Sequence, residues 1–140
     1  MADIIFNIAK LNILNGGLDF DTNTFKVLLV TSSYTPNQDT HEDRADVTNE
    51  VTGTGYSAGG ATLASVTVTQ DNTDNEGVVD AADVTWSSST ITARAAVLYK
   101  TTGVAANDTL VCYLDFTTDQ SSSSGDFTIQ WGSEGILNLN

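Results

Sequence analysis

The chain has 140 residues; five are Lys or Arg and eighteen are Asp or Glu, giving a net charge of −13, and Cys112 is its only cysteine. A domain of this length removes roughly 70% of its unfolded surface from water, so a hydrophobic core can hold it without an intrachain disulfide framework, which one cysteine cannot build. The charge argues against two partners, nucleic acid, which needs basic residues to displace its counterions, and an anionic membrane surface.

An apolar content of 40% argues for a packed domain over disorder. The abundance of Thr, Ser, Val and Gly with a single Pro points to strands joined by many turns. The opening MADIIFNIAKLNIL lacks a basic start, and Asn7, Lys10 and Asn12 interrupt its apolar run, so it is not expected to act as a secretory signal. No run of about 18 apolar residues is present to cross a bilayer as a helix.

In chain order, residues 3–14 are predicted as one short helix that plugs an end of the fold. Asp3 would cap it, Ile4, Ile5, Ile8, Leu11 and Leu14 recur at helical intervals, and Asn15-Gly16-Gly17 would end it. FKVLLV at 25–30 is apolar on both alternating faces, Phe25, Val27 and Leu29 on one and Leu28 and Val30 on the other, which predicts a central strand covered on both sides. Residues 31–54 have no period and read as a long exposed loop, with Tyr34 and Val47 available to anchor it; a loop this long is commonly functional. The glycines of GYSAGG at 55–60 predict a bulge or a close backbone approach, and no helix follows them to make a phosphate cradle. ATLASVTVTQ reads as a half-buried strand. Val84 and Trp86 lead into a strand in which Ile91, Ala93, Ala95, Val97 and Tyr99 share one face, with Arg94 opposite and free to meet a carboxylate of its own chain or of a neighbour. A mobile connection at 101–109, a strand facing Leu110, Cys112, Leu114 and Phe116 one way, an exposed turn at 117–126, a strand with Phe127, Ile129 and Trp131, and a last strand at 136–139 complete the pattern. The expected architecture is all-β: residues 1–140 form a single antiparallel β-sandwich or barrel, jelly-roll-like, with one short N-terminal helix.

Chemistry-bearing residues are few. Asn72, Asp74, Glu76, Asp80 and Asp83 fall at positions 1, 3, 5, 9 and 12 of a calcium loop with Gly77 at position 6. Asn in place of Asp at the first position, the shorter Asp at the last, and strand-like flanks favour an ordinary acidic hairpin turn, so no cofactor is expected and calcium is the alternative. His41, the sole histidine, reads as a solvated loop residue, since no G-x-S-x-G elbow supplies a nucleophile. Cys112 reads as a core residue. No catalytic or metal-binding set emerges, and no enzymatic activity is expected.

Taken in order, LNGGLDF, TFKVLLVTSSYTPN, GTGYSAGG, VDAADVTW, ARAAVLYK, FTIQW and GIL span nearly the whole chain, and in this pattern it resembles small virion proteins of tailed bacteriophages. The resemblance implies a non-enzymatic structural protein, most like a capsid decoration (cement) protein that binds the outside of the head and stabilises it. Such proteins commonly sit as trimers at three-fold positions. The implied partners are the major capsid protein and further copies of the chain as a homotrimer, and the implied location is the head surface of the virion after synthesis in the host cytoplasm. Tyr34, Pro36, His41 and Arg44 of the long loop, with Arg94, are the candidate interface residues. The alternative is a tail- or fibre-associated adhesion module that would use exposed aromatics such as Tyr34, Tyr56 or Trp86 against sugars.

Overall fold

The computed structural model describes residues 2–140. Three antiparallel sheets form a sandwich-like all-β fold. The largest contains β1 (Ile4–Ile5), β2 (Phe25–Val30), β3 (Ala61–Thr62), β7 (Thr92–Lys100) and β8 (Leu110–Ser121) in the order β1-β8-β7-β2-β3. The second is β10 (Leu137–Leu139), β5 (Glu76–Asp80) and β4 (Thr67–Asp71), in that order, and the third pairs β6 (Val84–Ser89) with β9 (Gly125–Ile129). One helix, α1 (Asn7–Asn15), lies between β1 and β2.

The two faces of β2 enter two different cores. Phe25, Val27 and Leu29 join Val79 of β5, Val84 and Trp86 of β6, Phe127 and Ile129 of β9 and Leu137 of β10, so the inner core draws on all three sheets. Leu28 and Val30 join Phe6, Val97, Tyr99, Leu110 and Tyr113 on the opposite face. The alternation read from FKVLLV is therefore the one that forms, and both sides are covered as expected. The middle position in the sheet, however, belongs to β7, with β2 next to the short edge strand β3.

Several local expectations change for identifiable reasons. Ile4 and Ile5 do not begin the helix. They pair with Tyr113 and Cys112 as β1, where the Asp3 and Phe6 amides donate to the carbonyls of Tyr113 and Val111, satisfying part of what would be an open edge of β8. Asp3 caps no helix; its carboxylate accepts from the Asp115 amide at 2.7 Å. The helix starts at Asn7 without a side-chain cap, its first amide donating to the Gln38 carbonyl, and ends as expected at Gly16 in the left-handed region (φ 79°). Between Ala93 and Ala95 the register with β8 shifts, residues 116–119 of β8 standing opposite Arg94 alone, and Ala93 faces the inner core while Ala95, Val97 and Tyr99 face the outer one. The expected single face is split there. A second shift between Leu98 and Tyr99, opposite Cys112 and Leu110, likewise sends Leu110 outward and Cys112 inward. Residues 117–121, expected in a turn, extend β8, and ATLASVTVTQ divides into β3 and an exposed β4.

The glycine-rich bend makes a close approach. Gly60 has φ 73°, and a Cβ there would lie 2.6 Å from Leu28 Cα and closer still to the Val27 carbonyl oxygen, whereas a Cβ at Gly103 (φ 89°) would meet nothing within 4 Å. Gly60→Ala is therefore expected to cost about 3 kcal/mol or more, from positive-φ strain plus overlap with β2. Gly103→Ala should cost only about 1 kcal/mol. Urea denaturation of the two variants checks the difference.

Candidate functional site

Residues 31–54 are irregular, as expected, but they do not form an exposed arm. The segment lies as a strap over the outer core. Tyr34 is 4% exposed and Val51 2%, and Val47 packs against the same cluster as Tyr34, so the predicted anchors do anchor. The Tyr34 ring lies 6.1 Å from that of Tyr113 and 5.7 Å from that of His41, and its hydroxyl is 2.8 Å from His41 Nδ1. Burial first, then the nearby Tyr113 and Asp46, push the Tyr34 phenol up to about 12, so it stays protonated. His41 is thus half-buried against a phenol rather than a freely solvated loop residue. Pro36 is also half-buried.

The strap ties to its surroundings along its whole length. Gln38 Nε2 donates to the Ile5 carbonyl at 2.7 Å, and Asn7 Nδ2 donates to Asp39 at 2.8 Å. Residues Arg44–Asp46 form a single 3-10 turn closed by a reciprocal capping box between Asp43 and Asp46. The Asp46 carboxylate is held below its ordinary range by the Glu42 amide and, less strongly, the Asp43 amide, while burial opposes this. Further along, Glu50 Oε1 accepts from the Tyr56 hydroxyl (2.8 Å) and the Gly59 amide (2.6 Å). Tyr56 in turn accepts from the Leu29 amide at 2.9 Å, and Tyr99 donates to the Gly59 carbonyl at 2.6 Å.

The strongest tie is to a residue that the sequence did not single out. Asp108 is 0% exposed, in the connection between β7 and β8. Its carboxylate accepts from the Thr102 amide and hydroxyl and from Arg44 Nε, the last at 2.9 Å, while its carbonyl accepts from the Arg44 amide. The Arg44 guanidinium also lies 5.4 Å from the centre of the Tyr99 ring. Burial works against the charged form of Asp108, but the Thr102 amide and the Arg44 guanidinium outweigh it and hold the carboxyl below its ordinary 3.8. The connection at 101–109, expected to be mobile, is pinned.

Arg94 meets carboxylates of its own chain, Asp115 at 3.0 Å and Asp119 at 3.7 Å, in a partly exposed cluster on β7 and β8. The acidic segment forms the hairpin turn between β4 and β5, in which Asp71 Oδ1 accepts from the Thr73 and Asp74 amides. Glu76 to Asp80 is extended strand, which at about 3.3 Å per residue separates Glu76 from Asp80 by about 13 Å. Asn72, Asp74, Glu76, Asp80 and Asp83 are therefore spread along the hairpin and do not converge on one point. Among the described residues no group of three or more His, Cys, Asp or Glu is placed to hold a metal ion. Cys112 is buried as expected, and burial pushes its thiol up to about 12. Trp86 is 6% exposed and Tyr56 half-buried beneath the Glu50 network, so with Tyr34 the three aromatics assigned to a sugar-binding alternative are not exposed. Family models, curated proteins and solved structures give no match to this chain.

What these polar groups do chemically is hold backbone in place: Arg44 with Asp108, Tyr56 and Tyr99 join segments distant in the chain, and Glu50 ties the end of the strap to the glycine-rich bend that follows it. Arg44→Ala strands a buried carboxylate and is expected to lower stability by about 2–3 kcal/mol. Arg94→Ala, which breaks only solvent-screened bridges, should cost less than about 1 kcal/mol. Urea denaturation at neutral pH measures both. Because Asp108 and Asp46 are depressed in the folded state, their contribution is fully present above the ordinary aspartate value and is lost as pH falls below about 4 through their folded-state values. Denaturation midpoints should drop from pH 5 to pH 3, and Asp108→Asn should flatten that drop; an equally steep drop in the variant would remove Asp108 from this role.

Proposed function

We propose that the chain is a non-enzymatic structural protein of a tailed-bacteriophage virion that attaches to the outside of the head and stabilises it. The observation that carries this reading is the strap. A long, largely irregular segment is held over a sheet by buried side chains, an ion pair to Asp108 and the Glu50 network, which suits the presentation of a fixed surface. The order of sequence blocks that resembles small virion proteins supports the same reading, and an acidic exterior suits docking onto a shell by surface complementarity. The partner is the major capsid protein, with the chain's own trimer at three-fold positions as the proposed assembly.

The crest of the strap is the proposed contact surface. Tyr34, His41 and Arg44 act beneath it as its supports, and Thr40, Ala45 and Thr48 lie exposed upon it. Densitometry of purified virions should find the chain in a copy number comparable with that of the major capsid protein. A few copies per particle would overturn the decoration reading in favour of a tail or fibre component. Replacing Thr40 and Ala45 together by Arg should leave the melting temperature unchanged and reduce occupancy on heads by about tenfold or more, as expected for charges placed in the middle of a contact. Unchanged occupancy would move the contact elsewhere.

A further inference from the structure

The end of α1 holds the only Asn-Gly pair in the chain, Asn15-Gly16, and both residues are exposed. Such a pair carries its own electrophile and nucleophile: the backbone nitrogen of the second residue can attack the side-chain carbonyl carbon of the first and close a five-membered ring. A side chain on the second residue obstructs that approach. Gly16 has none, stands in the left-handed region (φ 79°, ψ 13°), and the place where a Cβ would project has nothing within 4 Å.

The surroundings of the carboxamide favour attack at the same carbon. Gly17 donates its amide to Asn15 Oδ1 at 2.9 Å, which sets a donor on the oxygen that gains negative charge as the ring closes. A Cβ at Gly17 would lie 3.0 Å from that oxygen, so the second glycine lets the carboxamide rest over the following backbone. Asn15 Nδ2, the group that must leave, has no hydrogen-bond partner among the described residues. Asn12 and Asn23 differ, since each precedes a β-branched residue, Ile13 or Thr24, and Asn12 Nδ2 is held by the Ile8 carbonyl.

The helix restrains the reaction. Asn15 is its last residue, and a helical backbone keeps the Gly16 nitrogen out of line with Cγ, so the ring closes in molecules whose last turn has opened. Two contacts from outside that turn hold it shut: the Leu18 amide on the Asn12 carbonyl at 3.0 Å, and Lys100 Nζ on the Gly17 carbonyl at 2.9 Å.

We infer that Asn15 is a site of spontaneous deamidation whose rate is restrained by Lys100. The Gly16 nitrogen loses its proton to solvent and bonds to Asn15 Cγ; the Cγ–Nδ2 bond breaks and Nδ2 leaves as ammonia with a proton taken from solvent. Water then opens the succinimide at either carbonyl, leaving aspartate or isoaspartate, so the sum is one water consumed and one ammonia released. Either product places a carboxylate at a helix C-terminus, where the macrodipole disfavours it, and isoaspartate lengthens the backbone by one carbon at the cap.

The inference goes beyond the virion reading and does not need it. The full chain is incubated for several weeks at neutral pH and physiological temperature and cleaved with trypsin, which releases residues 11–26, with Asn12, Asn15 and Asn23, as one peptide. Fragment masses should place the exchange of NH2 for OH at Asn15, as a mixture of aspartate and isoaspartate, with Asn12 and Asn23 intact. Lys100→Met, which keeps the aliphatic stem and drops the ammonium, should speed conversion by about threefold or more, and Gly16→Ala should slow it by about tenfold or more. Unchanged melting curves confirm that both variants are folded. An Asn15 that stays intact in the folded chain overturns the proposal, as does conversion of Asn12 or Asn23 at the same rate or a Gly16→Ala variant that converts as fast as the wild type. An unchanged rate in Lys100→Met removes Lys100 from its part.

Discussion

A buried carboxylate sets the terms for the outer half of this molecule. Removing an aspartate from water is unfavourable unless hydrogen bonds and a countercharge replace its hydration, and Asp108 obtains these from Thr102 six residues away and from Arg44 sixty-four residues away. The second partner couples the β7–β8 connection to the strap, since neither can leave without stranding a charge. Closing the strap in turn places Tyr34 and Val47 over Leu28, Val30 and Val97, which would otherwise form a bare apolar face on the main sheet. Apolar burial provides the larger attraction, while the ion pair fixes where the strap lies; the ordering cost of so long an irregular segment is met by both together.

How much of this was legible in the sequence depends on the range of the interaction. Alternation within FKVLLV sufficed to assign Phe25, Val27 and Leu29 to one core and Leu28 and Val30 to another, because strand geometry is local and β2 has no bulge. The same rule failed in β7, where the ladder with β8 is broken between Ala93 and Ala95. A bulge reverses every side chain beyond it, and nothing in TARAAVLYK announces one. Ile4 and Ile5 carry helix-compatible spacing, yet they were claimed by the open edge of β8, an element more than a hundred residues away. The close approach at Gly60 was foreshadowed by the paired glycines of GYSAGG, since φ values of 89° and 73° at successive residues leave few alternatives.

The candidate site was legible only in its anchors. Tyr34 and Val47 stood out as apolar residues in a polar stretch, and they do hold the strap. Asp108 is one acidic residue among eighteen in the chain, and its distinction lies entirely in burial and in a partner that only the fold supplies. Glu50 and Tyr56 were hidden for the same reason. The acidic run from Asn72 to Asp83 was legible as a hairpin turn from its strand-like flanks: where the residues after the turn are extended, a strand carries successive oxygens apart where a loop would turn them inward.

The strap also bears on the opposite end of the molecule. At nine residues α1 is too short to be stable alone, and Ala9 is its only fully buried residue, so its position is set by its attachments. Those attachments are the Gln38 carbonyl on the first helical amide, the Gln38 side chain on the Ile5 carbonyl just before it, and Asp39 on the Asn7 side chain. These three come from the strap, and the Phe6 amide on the Val111 carbonyl adds one from β8. Asp108 thus holds Arg44, the strap containing Arg44 holds the helix N-terminus, and the helix holds Leu14 beside Leu137 and Leu139. The strap shares the task with β8, which holds the residues just before the helix through the β1 pairing and the Phe6 amide, and with the two cores, which take Ala9 and Ile13 on one side and Phe6 and Ile8 on the other.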